Sequence, residues 1–276
     1  MKIKFYGVRG SLPACGKEFM RYGGNTTCLR LLREEVKRIA IIDAGSGIRN
    51  LGKEIINNEL NQNVINILFS HFHWDHIQGL PFFAPAYNKN QRIGILVMGK
   101  ERKIKNIKEI FSLPMQKEYF PVELDMMGAK FEFIAYGDKH AFYGATVTAA
   151  PQYHKFMGGS YGFRIEDKVA SVVVCTDIEH INGIDENIVN LARNADLLIH
   201  DGQYAPDEYE KHKGWGHSTW KDAVEVATRA NVKRLIITHH DPDHDDDFLD
   251  SMEKDCQEAF PNSIFAKENM EVLVEG

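Results

Sequence analysis

Phe69-Ser70-His71-Phe72-His73-Trp74-Asp75-His76 is the stretch on which the reading of this chain turns. It follows Val64–Phe69, an apolar run of strand length that reads as a buried β-strand. Side chains alternate with period two on extended backbone, so His71 and His73 point to the same side and can reach one metal ion. Asp75 and His76 come where the chain turns, within reach of a second ion nearby. Imidazole and carboxylate are ligands that zinc, manganese and iron accept. A polar loop that happens to be rich in histidine would not need this spacing directly after a core strand.

Two ions need more donors than this block supplies. Three further candidates stand at the ends of strand-like runs. His154 follows a strand read as ending near Pro151, Asp177 follows Val172–Cys175, and His239 follows Leu235–Thr238. Each alone could be a turn residue. Together they add one carboxylate and two imidazoles.

The rest of the chain suits a globular protein. It has 276 residues, of which 43% are hydrophobic and 26% charged. A chain of this length can still close around one large core, and we expect a single domain over residues 1–276. The net charge of −6 provides no diffuse basic field for long nucleic acid. Arg102, Lys103, Lys105 and Lys108 form a local basic stretch, read as a solvated helix face. Cys15, Cys28, Cys175 and Cys256 include no Cys-x-x-Cys pair, which argues against a cysteine zinc site and suits a reducing compartment. No apolar run approaches the roughly 20 residues of a membrane span, and no apolar signal core opens the chain, so a cytoplasmic location is expected. A homodimer is compatible with these features but not required by them.

The order of elements points to two packed sheets with helices outside. Strands are expected at Ile3–Tyr6, Thr27–Leu32, Ile39–Ile42 and Val64–Phe69, with a helix from Gly47 to about Leu60. Further strands are expected at Ile93–Met98, Lys130–Ala135, Ala145–Ala150, Tyr161–Ile165 and Val169–Cys175, with a charged helix near Arg102–Phe111. The last third alternates: helix Glu186–Arg193, strand Leu197–His200, a helix from Thr219, strand Leu235–Thr238, helix Phe248–Ala259 and strand Glu271–Val274. Thr219 is placed to cap its helix with Asp222 three residues on, and Trp220, Ala223, Val224, Ala227 and Ala230 recur at helical spacing.

The His-x-His-x-Asp-His block, then a lone His, an Asp and a final His, all at strand ends, resembles the metallo-β-lactamase superfamily. The resemblance spans Gly7 to His239. It implies a four-layer αββα sandwich (an α/β fold) and two divalent ions, zinc first, with manganese or iron(II) as alternatives. It further implies that His71, His73 and His154 hold one ion, that Asp75, His76 and His239 hold the other, and that Asp177 bridges them. The β-lactamase branch carries cysteine where Asp177 stands, which disfavours antibiotic hydrolysis.

Gly214-Trp215-Gly216-His217-Ser218-Thr219 resembles the His-Ser-Thr motif of RNase Z and related phosphodiesterases, where the histidine serves the leaving group. Leu198-Ile199-His200-Asp201-Gly202 resembles the same group's His-Glu-Ala-Thr segment, with Asp201 in place of glutamate. Whether Asp201 orients His217 is left open by that difference. Asp75, His217 and Asp201 are thus the candidate catalytic side chains. RNase Z carries a long tRNA-binding arm between the lone His and the bridging Asp, and the residues from His154 to Asp177 leave no room for one. Gly7-Val8-Arg9-Gly10-Ser11-Leu12-Pro13, Tyr22-Gly23-Gly24-Asn25-Thr26-Thr27, the run His73–Pro81 and Asp241-Pro242 look instead like small bacterial phosphodiesterases of this fold, some acting on cyclic nucleotides. Tight-turn geometry explains the glycines equally well. Asp43 reads as a turn residue or a partner of a ligand rather than as a ligand.

The expected activity is hydrolysis of a small phosphodiester by a two-metal site. An RNase Z-like endonuclease, a thioester or lactone hydrolase, and a metal-stabilised binding protein without turnover are the competing readings.

Overall fold

The computed structural model describes residues 1–32, 39–57, 64–102, 104–142 and 144–276. The first sheet takes strands β1 (Lys2–Gly7), β2 (Cys28–Leu32), β3 (Ile39–Ile42), β4 (Val64–Leu68), β5 (Arg92–Met98) and β6 (Lys130–Tyr136). The second takes β7 (Lys139–Phe142), β8 (Ala145–His154), β9 (Phe156–Glu166), β10 (Ser171–Cys175), β11 (Leu197–Asp201), β12 (Leu235–Thr238) and β13 (Ser263–Phe265). A final strand, β14 (Glu271–Leu273), returns to pair antiparallel with β1. The strand orders are β14-β1-β2-β3-β4-β5-β6 and β13-β12-β11-β10-β9-β8-β7. Each sheet is mixed. β3 to β6 are parallel in the first, β10 to β13 in the second, and the remaining neighbours are antiparallel.

Alternation along the strands builds the layers. Val172 and Val174 face a core shared with Ile3, Phe5 and Leu29 of the other sheet, while Val173 and Cys175 face the helices outside. Helix α1 (Ile48–Asn57) covers the first sheet, with Ile48, Leu51 and Ile55 buried in a separate core. Two short helices follow in the first half, α2 (Trp74–Ile77) and α3 (Ile107–Ser112). The second sheet is covered by α4 (Glu186–Ala192), α6 (Trp220–Arg229) and α7 (Asp246–Ala259), with the one-turn α5 (Tyr209–His212) between α4 and α6. The result is the expected α/β sandwich of two central sheets between helices.

α6 begins as expected. Thr219 Oγ1 accepts from the Asp222 amide while the Asp222 carboxylate accepts from the Thr219 amide, a reciprocal cap. Its buried face runs through Val226, with Val224 only half-buried.

Several boundaries differ from expectation. β8 continues through Pro151 to His154, because it pairs with β9 along almost its whole length and is held by that partner. β9 starts at Phe156 for the same reason, well before the expected Tyr161. The charged helix begins at Ile107, capped by the Asn106 side chain, so Arg102 lies outside it. Arg102 is not part of a solvated face: its guanidinium donates to the carbonyls of Phe69 and Ser70 and stacks on Phe72 and Tyr161. Lys103 and the helix end expected at Leu60 lie outside the described residues. Among the described residues no helix is long and apolar enough to cross a membrane.

Candidate metal centre

The site collects at the carboxyl ends of β3, β4, β8, β10, β11 and β12. The main chain supplies the first condition. Asp43, Asp177 and His239, which directly follow or nearly follow β3, β10 and β12, all have left-handed backbone, with φ of 59°, 58° and 66°. That conformation costs an ordinary L-residue about 1–3 kcal/mol and persists where the surroundings over-determine it. Three such residues in one cluster show a site held in place by the fold.

His71, His73, His154 and Asp177 bring one donor atom each to within 4.8 Å of one another, and so do Asp75, His76, Asp177 and His239. Asp177 belongs to both groups. His154 Nε2 lies 2.9 Å from His73 Nδ1. His76 Nε2 lies 3.1 Å from Asp177 Oδ2, 3.2 Å from Asp75 Oδ2 and 3.3 Å from His239 Nε2. His71 Nε2 and Asp177 Oδ2 are buried without a hydrogen-bond partner. Buried polar atoms of native proteins are almost always paired, so these two ask for an occupant. Nitrogen and carboxylate donors converging on two centres fit two divalent ions.

Charge in this cluster is finely divided. Burial alone would raise the Asp177 and Asp75 carboxyls, but His76 and His239 beside them hold both well below the usual carboxylate range. Burial likewise opposes charge on His239, yet Asp177, Asp75 and Asp201 push it up to about 9. His76 is raised in the same way by Asp177, Asp75 and Asp43. Burial holds His71 well below its ordinary value, and lowers His73 and His154 as well.

The donors are aimed by partners behind them. Asp43 Oδ2 accepts from His76 Nδ1 at 2.8 Å and from the Ser70 hydroxyl at 2.7 Å, while Oδ1 takes the Ser70 amide at 2.9 Å. Asp43 is thus a partner of a ligand candidate, as its sequence context suggested. The Gly216 carbonyl takes His154 Nδ1 at 2.7 Å, and Gln203 Oε1 takes His239 Nδ1 at 3.1 Å. These partners fix which nitrogen of each ring is free to ligate. Gly216 must be glycine: its φ is +97°, and a Cβ there would lie 2.3 Å from His154 Nδ1.

Two side chains to which sequence reasoning assigned no part in the site, Glu179 and Arg102, brace this shell. Glu179 is buried and accepts from the Gly214 and Gly216 amides and the Tyr209 hydroxyl, tying down the loop that carries His217. Arg102 does the same for the backbone just before His71. An isolated glutamate two residues after Asp177 and an arginine in a basic run carry no local signal for either task.

His217 Nδ1 lies 2.9 Å from Asp201 Oδ2, and Asp201 Oδ1 accepts the Ser218 amide. The aspartate in place of glutamate therefore still reaches the imidazole. The His217 ring stacks 5.0 Å from His239 and lies 5.1 Å from His154, beside both donor groups. The N-terminal motif joins here too. The Ser11 amide donates to Asp75 Oδ2, and Arg9 donates to the carbonyls of Asp241 and His244, so the two glycine- and proline-marked loops pack against each other at the site. A Cβ on Gly10 would fall 2.3 Å from His239 Nδ1, which gives that glycine a packing role.

Residues 38–240 match the model of the beta-lactamase superfamily domain, so the chain belongs to that family. With that fold and the two donor groups, it is a metal-dependent hydrolase. A relative over nearly the full length is a Ribonuclease Z of Picrophilus torridus, 27% identical over 315 residues and covering 99% of this chain and 96% of the relative. Among solved structures, the metallo-beta-lactamase fold protein YhfI of Bacillus subtilis superposes with a TM-score of 0.72 at 18% identity, over 98% of both chains. A diphosphatase of the PhnP family superposes with a TM-score of 0.67 at 16% identity, over 99% of this chain and 98% of that one. At such identities these two structures bear on the fold alone.

Proposed function

We propose that this protein hydrolyses a small phosphodiester, such as a cyclic nucleotide, at a site formed by His71, His73, His154, Asp75, His76, His239 and the shared Asp177. The observation that carries the reading is the Asp201–His217 pair beside the donor groups. When bound, two divalent ions supply a nucleophilic water at neutral pH and draw charge from the phosphoryl oxygens. The leaving alkoxide must still gain a proton. Asp201, kept ionised by His217 and His239 against the effect of burial, holds the Nδ1–H of His217. That leaves Nε2 to deliver a proton to the leaving oxygen, the general-acid part. A thiolate would leave unaided, so a thioester hydrolase would have no use for this pair.

An RNase Z activity is the second reading, favoured by the full-length match to a protein of that name. Three observations weigh against it. His154 and Asp177 are joined by the compact antiparallel pair β9 and β10, with no projecting arm. The alignment with the P. torridus relative runs over 315 residues against 276 in this chain, so the relative carries segments absent here. The net charge is −6.

The test is turnover by metal-loaded protein of bis(p-nitrophenyl) phosphate, cyclic mononucleotides, cyclic dinucleotides, S-lactoylglutathione and a tRNA precursor. The reading expects cleavage of bis(p-nitrophenyl) phosphate and at least one cyclic nucleotide. Faster turnover of the thioester, or selective cleavage of the tRNA precursor, would replace it. Zinc is the expected ion, and metal analysis after purification from unsupplemented cells tests that.

A further inference from the structure

A cavity of about 980 Å³ adjoins the metal centre, and three of its lining residues touch the centre directly. They are Ser11, whose amide donates to Asp75, Gln203, which accepts from His239, and His217. Because His217 stands in its wall, an oxygen protonated by His217 is released facing this cavity. The cavity is therefore placed to hold what that oxygen is attached to, a separate alcohol or the nucleoside of an opened cyclic phosphodiester.

Its lining is acidic and aromatic. Asp241, Asp243, Asp245, Asp247 and Glu208 contribute carboxylates, and neither lysine nor arginine lines it among the described residues. Some of this charge is engaged: Glu208 pairs with His244, and Asp247 with Arg21. Asp241 and Asp243 face no cationic side chain within ion-pair distance among the described residues. The other component is aromatic. Tyr204 and His212 stack at 4.3 Å with an interplanar angle of 10°, Trp215 meets His212 edge-on at 5.1 Å, and Phe248 packs on His244. Trp215 is 57% exposed and Phe248 39% exposed, so large ring surfaces are left open at the mouth.

We propose that this cavity is a leaving-group subsite for a flat ring system that is neutral or cationic, such as a nucleoside, and that it rejects a leaving group bearing a further phosphate. Aromatic rings give a stacking platform for any base. The carboxylates disfavour a second anion by like-charge repulsion, the usual device for excluding a wrong ligand. The enzyme would thus take a lone phosphodiester and leave phosphorylated ends and longer strands alone. The proposal rests on the phosphodiesterase reading above.

The experiment compares the dinucleoside monophosphate of adenosine with the same compound carrying an added 5′-terminal or 3′-terminal phosphate. Metal-loaded protein is used, and the products show which end departs. The phosphate on the departing end should lower kcat/KM about tenfold or more, and the phosphate on the other end should do so less. Asp243→Lys should recover cleavage of the disfavoured compound relative to the plain one. Trp215→Ala should lower kcat/KM on the plain dinucleotide roughly tenfold, with metal content unchanged. Equal cleavage of all three compounds by both proteins would overturn the charge selection while leaving the phosphodiesterase reading intact. No cleavage of any of the three by protein that cleaves bis(p-nitrophenyl) phosphate would overturn the subsite and leave the phosphodiesterase reading intact, and no cleavage of bis(p-nitrophenyl) phosphate or any cyclic nucleotide either would overturn both.

Discussion

Asp43→Asn removes one acceptor from the site without changing its shape. Asp43 is fully buried and serves three donors: the Ser70 amide on Oδ1, and the Ser70 hydroxyl and His76 Nδ1–H on Oδ2. An asparagine has one acceptor atom where the aspartate has two. If its oxygen keeps the Ser70 amide, its NH₂ faces His76 Nδ1. The imidazole must then accept there and carry its proton on Nε2, the nitrogen 3.1 Å from Asp177, where it can no longer ligate. If the amide flips, the Ser70 N–H is buried against a donor, which costs about 1–3 kcal/mol. Loss of such a partner typically weakens metal binding by roughly 10–100-fold, or about 1.4–2.8 kcal/mol. The larger loss should fall on the ion held with Asp75 and His239, because His76 belongs with them, and a smaller one reaches the other ion through the Ser70 hydroxyl, which lies 3.2 Å from His71 Nδ1. A chelator titration followed by metal analysis should show one ion leaving at a roughly 10–100-fold lower chelator concentration and the other shifted less. Two ions released together at the wild-type midpoint would refute the assignment of Asp43 to the tautomer of His76. Equal weakening of both would refute the division of the donors into two groups.

Gly216→Ala should strike the other ion, since the new Cβ would meet His154 Nδ1 at 2.3 Å; the same chelator titration should show the complementary loss, and wild-type retention of both ions would count against His154 as a ligand. His217→Ala should slow a ribose-alkoxide leaving group by about 10²–10⁴-fold and barely change the rate with p-nitrophenolate, with metal content unchanged; equal losses on good and poor leaving groups would make His217 a scaffold residue. Metal loading should release protons. With the ions stripped, His239, raised to about 9, carries an extra proton at pH 7.5, and a ligand must be neutral. Loading at pH 7.5 should therefore liberate about one proton per chain from this side chain, readable with an indicator dye in weak buffer. That release should fade as pH rises through about 9, and absence of release at pH 7.5 would contradict the charge state described.

Layer order and candidate donors were legible in the residues alone. Both are written in local periodicity. Val172–Cys175 and Leu197–His200 alternate between two cores as strands must, and His71 and His73 share a face because they are two residues apart on extended chain. A lone histidine or aspartate just past an apolar run is ambiguous, and several of them together become candidates because strand ends on one side of a sheet converge. Element ends were less legible. β8 and β9 lengthen each other through cross-strand hydrogen bonds that neither segment encodes alone, and Arg102 leaves the expected helix because two carbonyls and two rings elsewhere in the fold receive it. Packing of distant elements settled which partner aims each candidate side chain: Asp43 for His76, Gly216 for His154, Gln203 for His239, Asp201 for His217, and Glu179 for the loop that holds two of these. Those pairs join residues from separate elements, through common residue types and single hydrogen bonds. A hydrogen bond needs position and direction to within a fraction of an ångström, and that precision is a property of packed strands and left-handed turns, not of any local pattern of residues.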